Sequence, residues 1–140
     1  MSNLVIRKAL SSDLNALIDV ENACFNNDKL SPRSLKRWLS AKHGILLVAE
    51  SGVQVCGYGL VWCHKGTRLG RLYSLAVKPT MQGKGIAKAL LTSLEKETYE
   101  RGRIYLRLEV AVNNEGAIGL YKSLGYRVFG QYSDYYDDHS

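Results

Sequence analysis

Three cysteines and two prolines in 140 residues leave little with which to staple or interrupt this chain. Cys24, Cys56 and Cys63 are odd in number and lack C-x-x-C spacing, so neither a disulfide framework nor a thiolate metal site is expected. Each reads as a small buried hydrophobe, and a reducing, cytoplasmic compartment suits them. No apolar run approaches the roughly 18–20 residues of a membrane span. The opening Met1-Ser2-Asn3-Leu4 has neither the basic start nor the apolar core of a signal peptide. His43, His64 and His139 show no metal-ligand spacing, so no metal is expected. Acidic residues are the minority, 13 against 19 basic, for a net charge of +6. That balance suits an anionic ligand. Nucleic acid is the competing reading, but the basic residues are scattered and no aromatic stacking motif accompanies them.

With 46% hydrophobic residues, the chain has the composition of one folded domain, expected over residues 1–140. Leu4 to Ala9 reads as a strand. Ser12 or Asp13 is placed to cap a helix carrying Leu14, Leu17, Ile18, Ala23 and Phe25. Ser31-Pro32 pairs a cap with proline at the first helical position, and Leu35, Trp38 and Leu39 follow as an apolar stripe. Strands are expected at Ile45–Ala49, at Val55–Trp62 with Gly57 and Gly59 interrupting it, and at Arg71–Val77. A helix follows with Ile86, Leu90, Leu91 and Leu94 at helical spacing, ended by Arg101-Gly102. Ile104 to Val112 alternates as a strand, Asn113 to Leu124 is a short helix with Gly125 just beyond it, and Tyr126 to Tyr132 is a last strand. The order β-α-α-β-β-β-α-β-α-β mixes hairpins with crossovers, so the fold class is α/β (α+β). A mixed sheet with helices on both faces is expected.

The segment joining strand and helix carries the chemistry. An apolar strand ends Leu75-Ala76-Val77-Lys78-Pro79, and Gln82-Gly83-Lys84-Gly85-Ile86-Ala87 runs directly into the helix. Main-chain amides at a helix start, unobstructed at two glycines, form a cradle for a pyrophosphate, and the helix dipole favours its charge. Lys88 stands where a dinucleotide fingerprint needs its third glycine, and no Walker A loop is present.

The pattern Gln82-x-x-Gly85-x-Ala87 after Leu-Ala-Val-x-Pro resembles the acetyl-CoA loop of the GNAT-type N-acetyltransferases. Leu108-Glu109-Val110, Asn114 and Tyr121-Lys122-Ser123-Leu124-Gly125-Tyr126 resemble that family's downstream half. Ile6-Arg7-Lys8-Ala9, Asp13-Leu14 and Glu21-Asn22-Ala23-Cys24-Phe25 resemble its RimI-type branch, the ribosomal-protein-alanine N-acetyltransferases. The likeness spans about positions 5 to 136. It implies a bulged strand that splays two parallel strands, with the backbone of Leu75, Ala76 and Val77 pairing with pantetheine. It also implies that the amides of Gln82 to Ala87 hold the pyrophosphate, Asn114 contacts the cofactor, and Val77 offers an amide to the oxyanion. By the same resemblance Glu109 is the general base, Tyr121 protonates the leaving thiolate, and Tyr135 and Tyr136 line the acceptor groove.

Each residue also has a plainer reading. Glu109 pairs with Arg107 or faces water, Tyr121 packs in a core, Asn114 caps a helix, and the acidic, Tyr-rich tail frays. The family's final apolar strand has no counterpart before Ser140. The function implied is direct acetyl transfer from acetyl-CoA to a primary amine. A protein N-terminal α-amine is preferred, with a lysine side chain, a small amine or a non-catalytic acyl-CoA sensor as alternatives. Monomer and homodimer both remain open, and no membrane partner is expected.

Overall fold

The computed structural model describes residues 4–25, 29–63, 65–103, 105–108, 119, 121–123 and 125–126. Contacts divide the chain into two compact units, Met1–Arg107 and Leu108–Ser140. The first carries strands β1 (Leu4–Lys8), β2 (Gly44–Ser51), β3 (Gln54–Cys63) and β4 (Leu69–Val77), and helices α1 (Leu14–Cys24), α2 (Pro32–Leu39) and α3 (Ile86–Glu100). Strand β5 (Tyr105–Leu108) completes a five-stranded mixed sheet in the order β1-β2-β3-β4-β5.

β1 through β4 are antiparallel neighbours in sequence. The Tyr105 amide donates to the Arg68 carbonyl at 3.1 Å, so β5 starts where β4 starts and runs parallel to it after the α3 crossover. Helices cover both faces. On one, Leu17, Val20 and Leu35 from α1 and α2 bury against Leu46, Val48, Tyr58, Leu60 and Ala76. On the other, α3 lies on Gly59 and Gly70 through Leu94 and Thr98. β2 and β3 are therefore buried on both sides, which explains their continuous apolar runs.

Local signals acted as the residue types dictate, with three exceptions. Ser31 Oγ accepts from the Ser34 amide at 3.0 Å and Pro32 opens α2. Asp13 does sit at the start of α1, but its side chain is not that helix's cap. It accepts from the Leu10 amide at 2.7 Å and takes a two-pronged contact from Arg7, at 2.8 and 3.0 Å. That guanidinium, which also reaches Glu50, holds the Asp13 carboxyl below its ordinary range. Phe25 lies outside α1, in extended backbone. Gly57 and Gly59 do not end β3, which is one strand, although its ladder to β2 slips by one residue at Cys56, beside Gly57. They admit neighbours instead: a Cβ on Gly59 would lie 2.4 Å from Leu94 Cδ1.

β4 carries a bulge. Leu60 faces Ser74 while Val61 faces Leu72, so Tyr73 is the extra residue. Its ring leans on Trp38 of α2 at 5.2 Å, and the Ser74 hydroxyl also turns to the α1–α2 face, 2.8 Å from Tyr58 Oη. Two consecutive residues thus share one face of the strand that leads to the glycine loop.

Candidate active site

The loop after β4 is held from below and open above. Lys78 donates its amide to Cys56 at 2.8 Å, fixing the strand's exit to β3. A single 3-10 turn, Pro79–Met81, reverses the chain. Gln82 Nε2 then reaches back to the Val77 carbonyl at 3.1 Å, and Cys24 Sγ donates to the same oxygen at 3.3 Å.

Gly83 and Gly85 both have φ of +80°, a left-handed conformation that side-chain-bearing residues avoid. Among the described residues, and apart from each glycine's chain neighbours, no atom lies within 4 Å of where a Cβ on either would sit. α3 starts with Gly85 as its cap residue and no capping side chain. Among the described residues, the amides of Gly83, Lys84, Gly85, Ile86, Ala87 and Lys88 find no hydrogen-bond partner. Ile86 is buried and anchors the turn, while Lys84 and Lys88 are exposed. A row of free donors at the positive end of a fifteen-residue helix, with open space above the glycines, fits a diphosphate.

Leu75, Ala76 and Val77, the residues expected to pair with pantetheine, form the end of β4. Leu75 is half-buried, and Ala76 and Val77 are buried. Their side chains pack while the main chain forms the edge toward β5. The Val77 carbonyl already accepts from Gln82 and Cys24, which leaves the Val77 amide as the group this residue can offer a ligand.

In the second unit, Tyr121 is helical and half-buried. Burial pushes its phenol up from the ordinary tyrosine value, so it stays protonated at neutral pH. Its ring meets Tyr126 edge-on at 6.2 Å, and the Tyr126 amide donates to the Tyr121 carbonyl at 3.0 Å. Gly125, with φ of +92°, ends that helix as expected. Glu109, Asn114, Tyr135 and Tyr136 lie outside the described residues, as do the segment in which the strands should splay and the chain's last residues. Burial raises all three thiols, Cys24, Cys56 and Cys63, which disfavours thiolate nucleophiles. Among the described residues no cluster suited to a metal ion occurs, and no helix is long and apolar enough to cross a membrane.

Reasoning on residue spacing did not find one feature of this face. Glu21, 2% exposed, continues the Leu14–Leu17–Ile18 stripe of α1 into the core. One carboxylate oxygen accepts from the Tyr58 hydroxyl, the other from the Leu30 amide at 2.7 Å. The signal was available: a carboxylate at helical spacing on an apolar stripe.

The model of the acetyltransferase (GNAT) family matches residues 14–126. The chain belongs to this family. It is 35% identical over 136 residues to an uncharacterised N-acetyltransferase of Methanocaldococcus jannaschii, covering 96% of this chain and 85% of that one. It is 32% identical over 117 residues to the N-alpha-acetyltransferase RimI of Mycobacterium tuberculosis, covering 79% and 69%. The crystal structure of the PaiA N-acetyltransferase from Thermoplasma acidophilum in complex with coenzyme A superposes with a TM-score of 0.82, at 23% identity over 90% of this chain and 91% of that one. As a GNAT member the protein is an acetyl-CoA-dependent N-acetyltransferase.

Proposed function

We propose that this GNAT enzyme moves the acetyl group of acetyl-CoA directly onto a protein N-terminal α-amine, as a RimI-type enzyme acting in the cytoplasm. The two units would work as one catalytic domain over residues 1–140. One observation carries the reading: the free amides of Gly83 to Lys88 converge at the start of α3. They offer a diphosphate a set of unpaired donors at an open helix start. The 32% identity to an N-alpha-acetyltransferase supports the choice of acceptor.

Acetyl-CoA supplies the activated thioester, and the chain supplies position and protons. The loop amides and α3 hold the pyrophosphate, with Lys84 and Lys88 screening its charge. The main chain of Leu75 to Val77 aligns the pantetheine arm as an added strand, and Asn114 adds a further contact. The Val77 amide is the proposed donor to the developing oxyanion. A free α-amine has a pKa near 8, so at pH 7 about nine in ten molecules arrive protonated and cannot attack. Glu109, acting through water, takes the proton shed as nitrogen bonds to carbon. Tyr121 gives one to the departing thiolate. Tyr135 and Tyr136 would contact the acceptor backbone.

Two substitutions test these roles. Glu109→Gln is expected to lower turnover at pH 7 by about 10²-fold or more. The deficit should narrow in part above pH 9, where hydroxide takes up the proton that Glu109 would otherwise accept. Tyr121→Phe is expected to lower kcat by about tenfold or more with KM for acetyl-CoA unchanged, because the hydroxyl acts only as sulfur departs. Normal turnover in either variant would remove that residue's role. The acceptor is tested with a panel of N-terminal peptides, lysine peptides and small amines, scored by thiol release. Preference for an α-amine peptide is expected, and a higher kcat/KM with either other class would reassign the acceptor.

A further inference from the structure

Glu21 is a carboxylate taken almost wholly out of water, and among the described residues no cation compensates it. Two neutral donors hold it, the Leu30 amide and the Tyr58 hydroxyl. Burial of an acid without an ion partner is a poor way to gain stability, since an apolar side chain of similar volume serves as well or better. The hydrogen-bond chain does not stop there. Tyr58 has one hydroxyl proton and directs it at Glu21, so at the 2.8 Å contact with Ser74 Oγ the serine must be the donor. The order is therefore fixed as Ser74 to Tyr58 to Glu21. It begins at a half-buried serine on the bulge of β4, one residue before Leu75, and ends in the core. With its proton committed inward, Ser74 Oγ has lone pairs left to accept from outside.

We infer that Ser74, Tyr58 and Glu21 form a proton relay that draws the first proton from the incoming ammonium group before it attacks. This rests on the acetyl-transfer reading above. The balance is simple. The ammonium N–H bond breaks as a new O–H bond forms at Ser74 Oγ. The original Ser74 proton passes to Tyr58 Oη, and the Tyr58 proton passes to Glu21 Oε1. The amine is left neutral and Glu21 protonated, and the steps reverse after product leaves to return the proton to solvent. Glu109 keeps its separate task, the second nitrogen proton. Ser74 would touch the substrate, whereas Tyr58 and Glu21 act through it.

The surroundings suit a relay. Burial, reinforced by the bond to Glu21, pushes the Tyr58 phenol far above its ordinary value, so it stays protonated and passes protons without ionising. The Cys24 thiol, on the same helix turn as Glu21, is also raised by burial and stays neutral. Lys78, beyond the end of β4, is the described cation whose field reaches Cys24.

The test compares Ser74→Ala, Tyr58→Phe and Glu21→Gln with the natural chain, using acetyl-CoA and an α-amine peptide from pH 6 to 10. Glu21→Gln keeps shape and an acceptor but cannot take up a proton. At pH 7 each variant is expected to lose about tenfold in kcat/KM, the share of amine that arrives protonated. The loss should vanish by pH 9.5, where the amine arrives as free base. Pairs among the three should lose no more than one alone, while combination with Glu109→Gln should multiply the losses. Coenzyme A binding by calorimetry should match the natural chain in all three. Should Glu21→Gln or Tyr58→Phe not fold, Ser74→Ala decides, because removing a half-buried hydroxyl leaves no core cavity. Unchanged kcat/KM at pH 7 in Ser74→Ala overturns the relay, and so does a loss that is constant across pH. If the natural chain neither binds coenzyme A nor releases thiol, the transferase reading itself has failed.

Discussion

Gly57→Val is expected to unfold the first unit or lower its Tm by ten degrees or more, measured by thermal denaturation. A Cβ there would lie 2.7 Å from the Ala76 carbonyl oxygen and 3.3 Å from Val77 Cα, both backbone atoms of β4. Backbone cannot turn away as a side chain can, so β4 must separate from β3 where Lys78 is pinned to Cys56. Overpacking of this kind costs roughly 1–3 kcal/mol when side chains can adjust, and more here. A domain this size has about 5–15 kcal/mol in total. Gly59→Ala is the informative companion. Its nearest contact is shorter, 2.4 Å, yet the atom is the tip of Leu94, which can change rotamer. The milder effect is therefore expected where the distance is smaller. A larger loss in Gly59→Ala than in Gly57→Val would show that α3, not β4, is the less yielding neighbour.

Gly85→Val is expected to act on ligand binding with much less effect on the fold. At φ of +80° an L-residue carries about 1–2 kcal/mol of strain, and a β-branched one more. Among the described residues nothing beyond the chain neighbours lies within 4 Å of the new Cβ, so they offer no clash. The isopropyl group would instead occupy the open side where the diphosphate approaches the amides of Gly83 to Lys88. Affinity for coenzyme A is expected to fall about 100-fold, close to 2.7 kcal/mol, with Tm lowered by a few degrees. Calorimetry with coenzyme A reads the first and a melting curve the second. An unaltered dissociation constant would mean that the anion does not bind over this turn.

Much of the architecture was legible because local chemistry and tertiary outcome agreed. Ser31-Pro32 had one sensible use, and the Leu75-to-Ala87 segment read as strand, glycine turn and helix because each part needs only its own residues. Gly57 and Gly59 misled as interruptions, since a glycine in a strand looks like weakness until the atoms filling its space are known. Asp13 misled as a cap for the same reason, because Arg7 of β1 competes for its carboxylate.

The amino-acid order alone determined the glycine turn, the free donors at the start of α3 and the family to which they belong. Those depend on backbone conformations that neighbouring residues set by themselves. Only the three-dimensional arrangement decided that Glu21, Tyr58 and Ser74, drawn from a helix and two strands up to 53 positions apart in the chain, would share one line of hydrogen bonds. That line depends on the β4 bulge and on α1 seated across the sheet, and the position of a buried carboxylate is fixed by what packs around it.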